Sequence, residues 1–116
     1  MDDRFEMSLL LDFYGVLLTE KQFDLMKLYY DEDLSLGEIA EINSTSRQAT
    51  FDTIKRCHKL LYSYEEKLML LKKSEEEKIF KKVLIEKLQL INTLTDDDRI
   101  KTEIDNLKEY VTSTTM

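Results

Sequence analysis

Nothing in this chain forces the backbone out of a helix. Proline is absent from all 116 residues and glycine occurs only at Gly15 and Gly37, so the two residue types that most disfavour a helix interior are almost missing. Leucine, lysine and glutamate, which lose little side-chain freedom in a helix, dominate the apolar runs and the charged positions. The expectation is an all-α protein, and the length suits a single helical domain spanning residues 1–116 with a modest core.

The helix starts are written locally. "TEKQ" sets Thr19 three residues before Gln22, and "SLGE" sets Ser35 three before Glu38. In each, a hydroxyl can accept from a backbone amide one turn on while the longer side chain reaches back. The first box opens a helix running to about Tyr30, ended by the acidic "DED" at 31–33. The second opens one of about two turns carrying Leu36, Ile39 and Ala40. Ahead of both, Phe5, Leu9, Phe13 and Val16, widened by Leu10 and Leu17, read as the core face of a helix over 5–17. After a turn at 43–45, Ser46 can cap a helix that meets no breaker until about Ser74, roughly 37 Å of helix. "SEEE" at 74–77 and "TDDD" at 95–98 resemble further caps, predicting a C-terminal helical pair over 74–112. That pair presents Ile79, Phe80, Val83, Leu84, Leu88 and Ile91, then Ile100, Ile104, Leu107 and Val111.

Within the long helix, Ile54, Cys57, Leu61, Tyr64, Leu68 and Leu71 follow at spacings 3, 4, 3, 4, 3. Two apolar positions per heptad form a seam narrower than a globular core face, and they predict pairing with another helix, most simply that of a second copy in a homodimer.

The formal charge of −7 speaks against a general nucleic-acid or anionic-membrane coat, but the charge is uneven. Residues 43–63 hold four cations and one acid, whereas every other stretch is net acidic. Exposed charges farther apart than about 8 Å are largely screened in physiological salt, so a local cationic face acts for itself. It coincides with the order helix, short helix, tight turn, longer helix over 19–59, which a helix-turn-helix needs for its last helix to enter the major groove. Arg47 and Gln48 stand at the start of that last helix, suited to guanine and adenine edges, with Ser46 as cap and Phe51 one turn on. Lys55, Arg56 and Lys59 are candidates for phosphate contact, against the plainer reading of a solvated face.

Other chemistries find little support. His58 adjoins Cys57, but neighbouring helix positions point about 100° apart and no second cysteine or histidine completes a site, so neither metal nor cofactor is expected. "DEDLSLGE" lacks the glycine and the terminal glutamate of a calcium loop. No phosphate loop or nucleophile signature stands out, and the chain is read as a non-enzyme. No stretch approaches the roughly 20 apolar residues of a membrane span, acids stand where a secretory signal carries positive charge, and Cys57 is the lone cysteine; a cytoplasmic location is expected.

"DFYG", "LTEKQ", "LSLGEIAE" and "SRQA", in that order over roughly residues 5–71, resemble the YlxM family of small bacterial helix-turn-helix proteins, and more distantly the fourth region of primary sigma factors. The resemblance implies an all-helical, often dimeric protein whose gene usually neighbours those of the signal recognition particle, and a regulatory role in that pathway. Members typically carry an aromatic residue, a glycine and an apolar residue across the turn, and an apolar residue inside the recognition helix; here stand Asn43, Ser44, Thr45 and Thr50. Threonine can bond back to a carbonyl one turn earlier, and asparagine tolerates the left-handed conformation a tight turn requires. The function expected is that of an accessory or regulatory protein of the signal recognition particle pathway, touching the particle's protein or RNA through this scaffold. The alternative is a DNA-binding transcriptional regulator reading through the helix that starts at Ser46.

Overall fold

The computed structural model describes residues 4–114, and among these every regular element is helical. Six α-helices follow in order: α1 Arg4–Tyr14, α2 Glu20–Tyr30, α3 Leu36–Ile42, α4 Arg47–Leu68, α5 Leu70–Thr93 and α6 Asp98–Ser113, with a short 3-10 turn at Gly15–Leu17 after α1. Where the length suggests one domain, the contacts gather into two compact units, one ending at Leu71 and the other starting at Lys72.

Both expected capping boxes form. Thr19 Oγ1 accepts from Gln22 N–H at 3.1 Å while Gln22 Oε1 accepts from Thr19 N–H at 3.0 Å. Ser35 and Glu38 repeat the exchange at 3.1 and 2.9 Å. The bond from Ser35 N–H holds the Glu38 carboxyl below its ordinary pKa. Ser46 caps α4 by accepting from Ala49 N–H at 3.0 Å. Near the other end, Asp97 rather than Thr95 caps α6, accepting from Arg99 N–H at 2.8 Å.

The core of the first unit is closed by α1, α2 and α3 against α4: Met7, Leu10, Leu11 and Tyr14 meet Leu25, Met26, Tyr30, Ile39, Ile54, Cys57 and Leu61. The face anticipated for α1 is therefore corrected. Its buried stripe is Met7, Leu10, Leu11 and Tyr14, while Phe5 is 73% and Val16 87% exposed. The helix gives way to the 3-10 turn after Tyr14, so Val16 no longer continues the α-helical stripe that spacing alone assigns to it. Gly15 is needed there, because a Cβ on it would lie 2.5 Å from the Phe23 ring. Arg4 ties the start of α1 to the end of α2, pairing with Asp33 at 3.0 Å, donating to the Tyr29 carbonyl and lying over the Tyr29 and Tyr30 rings.

The long central helix is shorter than expected. It breaks at Met69, which adopts a left-handed conformation with φ 54°, and α5 begins at once. Ser74 therefore lies inside a helix and caps nothing. In the second unit Leu88, Ile104 and Val111 are the buried apolar residues, while Ile79, Phe80, Val83, Ile91, Ile100 and Leu107 stay exposed. Lys101 Nζ donates to the Asn92 carbonyl at 3.0 Å, and Lys81 reaches the Thr114 carbonyl, holding α6 along α5.

Candidate functional site

The elbow between α3 and α4 decides what the surface beyond it can do. α3 ends as Asn43 N–H returns to the Ile39 carbonyl at 3.0 Å and Thr45 N–H to that of Ala40 at 2.9 Å. The left-handed residue is Ser44, φ 53°, while Asn43 keeps φ −92°. Serine thus occupies the conformation for which glycine is favoured, and the role anticipated for asparagine passes one residue on. Asn43, Ser44 and Thr45 all face solvent, so their polarity carries no burial cost. Thr50 alone is buried, and its hydroxyl donates to the Ser46 carbonyl at 3.1 Å, the back-bond the sequence suggested. No buried side-chain nitrogen or oxygen among the described residues lacks a partner. Ala40 is buried where α3 meets its neighbours, so the motif closes with its polar substitutions in place.

Beyond Ser46, the first four turns of α4 present Arg47, Gln48, Phe51, Lys55, Arg56 and Lys59 to solvent. Phe51 is 45% exposed, an aromatic edge among cations. A further member is Asp52, the one acid of residues 43–63, whose Oδ1 accepts from Gln48 Nε2 at 3.0 Å. The signal was present as a Gln and an Asp four residues apart on one helix face. The pairing takes one of the two Nε2 hydrogens of Gln48 and puts an acid inside the cationic face. Arg56 leans toward Thr53 Oγ1 at 3.4 Å. A groove of about 240 Å³ beside the helix is lined by Tyr29, Leu36, Phe51, Ile54, Lys55 and His58. It falls short of the roughly 300–1,000 Å³ of small-molecule sites, whereas a second groove of about 320 Å³ beside the elbow, lined by Lys21, Gln22, Leu25, Asn43, Thr45 and Thr53 among others, just reaches that range.

The expected dimer seam divides. Ile54, Cys57 and Leu61 are buried by α1, α2 and α3 of the same chain. Tyr64 packs its ring 6.0 Å from that of Tyr14, Leu71 is half-buried on the same core, and Leu68 is left exposed. A stripe of two residues per heptad is also what a helix shows when its neighbours within one chain cover it, and that is its use over most of this length.

His58 and Cys57 do separate jobs. His58 Nε2 pairs with the Tyr30 hydroxyl, the rings 5.5 Å apart. Cys57 is fully buried, and desolvation pushes its thiol pKa up. No group of three or more His, Cys, Asp or Glu among the described residues is arranged to hold a metal ion. No described helix is long and apolar enough to cross a membrane. The acids ahead of α3 are partly engaged within the unit: Asp33 by Arg4, and Asp31 by Ser8 at 3.1 Å and Lys27 at 3.8 Å.

Capped helices α2, α3 and α4 around a four-residue elbow, with an exposed cationic face on the third, define a helix-turn-helix protein. Residues 1–111 match the family described as "UPF0122: Putative helix-turn-helix protein, YlxM / p13 like", and the chain belongs to that family. It is 55% identical to a UPF0122 protein of Clostridium perfringens strain 13 over 111 residues, 96% of this chain and 97% of that protein. It is 46% identical to one of Clostridium acetobutylicum over 114 residues, 97% of each.

Proposed function

We propose that this chain is an accessory or regulatory factor of the signal recognition particle pathway, acting in the cytoplasm through contact of the exposed α4 face with the particle's RNA or protein. The pathway comes from the family resemblance. The mode of contact rests on one observation, the Gln48–Asp52 pair set among Arg47, Lys55, Arg56 and Lys59. This face keeps the cations and the aromatic edge of Phe51 that an anionic partner with unpaired bases can use, while the Gln48 amide suited to adenine turns one of its two N–H donors to Asp52. The acids at 31–33, the other surface for a protein partner, are partly consumed by Arg4, Ser8 and Lys27. The second reading, a DNA-binding regulator, draws on the Ser46 cap and on Arg47, exposed in the first turn where base edges are met.

The second copy of a homodimer belongs on the C-terminal pair. Two helices with three buried apolar residues between them are too little core to stand in water, and Phe80 is 67% and Ile79 63% exposed. From Lys72 to Thr93 the chain has six lysines and four glutamates, and from Leu94 onward three cations and six acids, so α5 of one copy complements α6 of another.

The test is titration of the full chain with the particle's RNA, its protein component and duplex DNA, each alone. Binding to particle RNA or protein that weakens with Phe51→Ala and with Lys55→Glu is the expected result. Tight, sequence-selective binding to duplex DNA with none to the particle at tens of micromolar would replace this reading with the second.

A further inference from the structure

The stretch "LLYSYEEKLMLLKKSEEEK", residues 60–78, contains no glycine, proline or β-branched residue, and its leucines, methionine, glutamates and lysines are good helix formers. By local preference the helix should run through. It stops at Leu68 and restarts at Leu70, with Met69 at φ 54° and ψ 31°. A residue with a Cβ resists that conformation because the Cβ crowds the following carbonyl, so something beyond the local chain holds the break open.

Three hydrogen bonds do so. Leu70 N–H donates to the Tyr14 hydroxyl at 2.9 Å, and Leu71 N–H donates to Glu65 Oε1 at 3.0 Å. The Tyr14 hydroxyl in turn donates to the same Glu65 oxygen at 2.5 Å. Two amides that open α5 are thus served by side chains, one of them from the fully buried last residue of α1. In an uninterrupted helix the same two amides would donate to the carbonyls of Glu66 and Lys67. Both arrangements satisfy both amides. One keeps the Tyr14–Glu65 bond, and the other relieves Met69. Two backbone states that each satisfy their polar groups are the condition for a bistable element.

We infer that Met69 is a two-state joint governed by α1. With the Tyr14 hydroxyl and Glu65 in place, the chain breaks at Met69. With them withdrawn, α4 and α5 fuse into one helix from Arg47 to Thr93. A binding event that shifts the end of α1 is thereby converted into a change of helix continuity at residues 65–71, at the boundary of the second unit.

The joint is read by nuclear magnetic resonance on the full chain, with φ at Met69 from the three-bond amide-to-α coupling and amide exchange followed at Leu70 and Leu71. Wild type should report positive φ. Glu65→Ala, at a half-exposed position that leaves the core intact, should shift the population toward negative φ about tenfold, the effect of losing charge-assisted bonds. Tyr14→Phe should act in the same direction. Adding Met69→Gly to Glu65→Ala should restore positive φ, since glycine adopts it freely. Unchanged positive φ in Glu65→Ala would overturn the inference, as would a Met69→Gly addition that fails to restore it. Should Tyr14→Phe loosen α1 itself, the Glu65 pair of variants decides alone.

Discussion

Thr50→Val tests whether the polar residue inside α4 is structurally required or merely tolerated. Thr50 is 1% exposed, and its hydroxyl donates to the Ser46 carbonyl, which also accepts the Thr50 backbone N–H at 3.1 Å. Valine has nearly the same shape. Removing the hydroxyl forfeits a bond whose net worth, the cost of burying the hydroxyl included, is about 1 kcal/mol, and leaves the carbonyl paired. The replacing methyl adds about 0.8 kcal/mol of apolar burial. The two nearly cancel, so Thr50→Val should change stability by no more than about 0.5 kcal/mol. Thr50→Ser keeps the hydroxyl and loses the methyl, and should cost about 1 kcal/mol through transfer and cavity terms. Urea unfolding followed by helical circular dichroism resolves both. With a slope of about 1–3 kcal/mol per molar, Thr50→Val should leave the midpoint within a few tenths molar of wild type while Thr50→Ser lowers it by several tenths, the slope unchanged in both. A midpoint lowered by Thr50→Val and untouched by Thr50→Ser would refute the reasoning and make the hydroxyl a fixture of the elbow.

Leu61→Asp should unfold the first unit, since Leu61 is fully buried, whereas Phe80→Asp should lower light scattering from dimer to monomer mass with a loss of helicity confined to α5 and α6; a wild-type chain that is monomeric at every accessible concentration would remove the dimer. The Glu38 carboxyl, held below its ordinary value by Ser35 N–H, contributes stability that is present above the unfolded pKa and lost as pH falls through the lowered folded one; Glu38→Gln should flatten that acid limb in pH-dependent urea titrations. Burial raises the Cys57 thiol pKa, so a thiol reagent at neutral pH should react only as fast as the first unit opens, with rates that rise in step with added denaturant. For duplex DNA, the four cations of the α4 face limit the slope of log K against log salt to roughly −4 per monomer and about −7 per dimer, and a steeper slope would demand a second contact surface.

What the sequence makes legible is local. The caps at Thr19, Ser35 and Ser46 need only a hydroxyl and a partner three residues on, and each forms as expected. Ser74 shows the limit of the same signal: a serine followed by acids sits unremarked inside α5, because a cap requires the chain to arrive from outside the helix. The break at Met69 is held by Glu65 together with Tyr14 from α1, and the part played by Tyr14 is one that no reading of neighbouring residues could have found. The α4 stripe was visible in its spacing, but spacing cannot distinguish a second copy from α1 of the same chain as the covering surface. On the candidate interface, the cations were legible as charges, while the tying of Gln48 by Asp52 depends on rotamers that the string of letters leaves open.

Gly15 and Phe23 carry a consequence for how such a chain can diversify. Since a Cβ at position 15 would fall 2.5 Å from the Phe23 ring, the two positions behave as a single inherited unit: an alanine at 15 becomes viable only after the ring at 23 has shrunk, and a smaller residue at 23 leaves a void until 15 enlarges. A library randomised at both sites and selected for folding should therefore return matched pairs of roughly constant combined volume, with few survivors along either path that changes one site at a time.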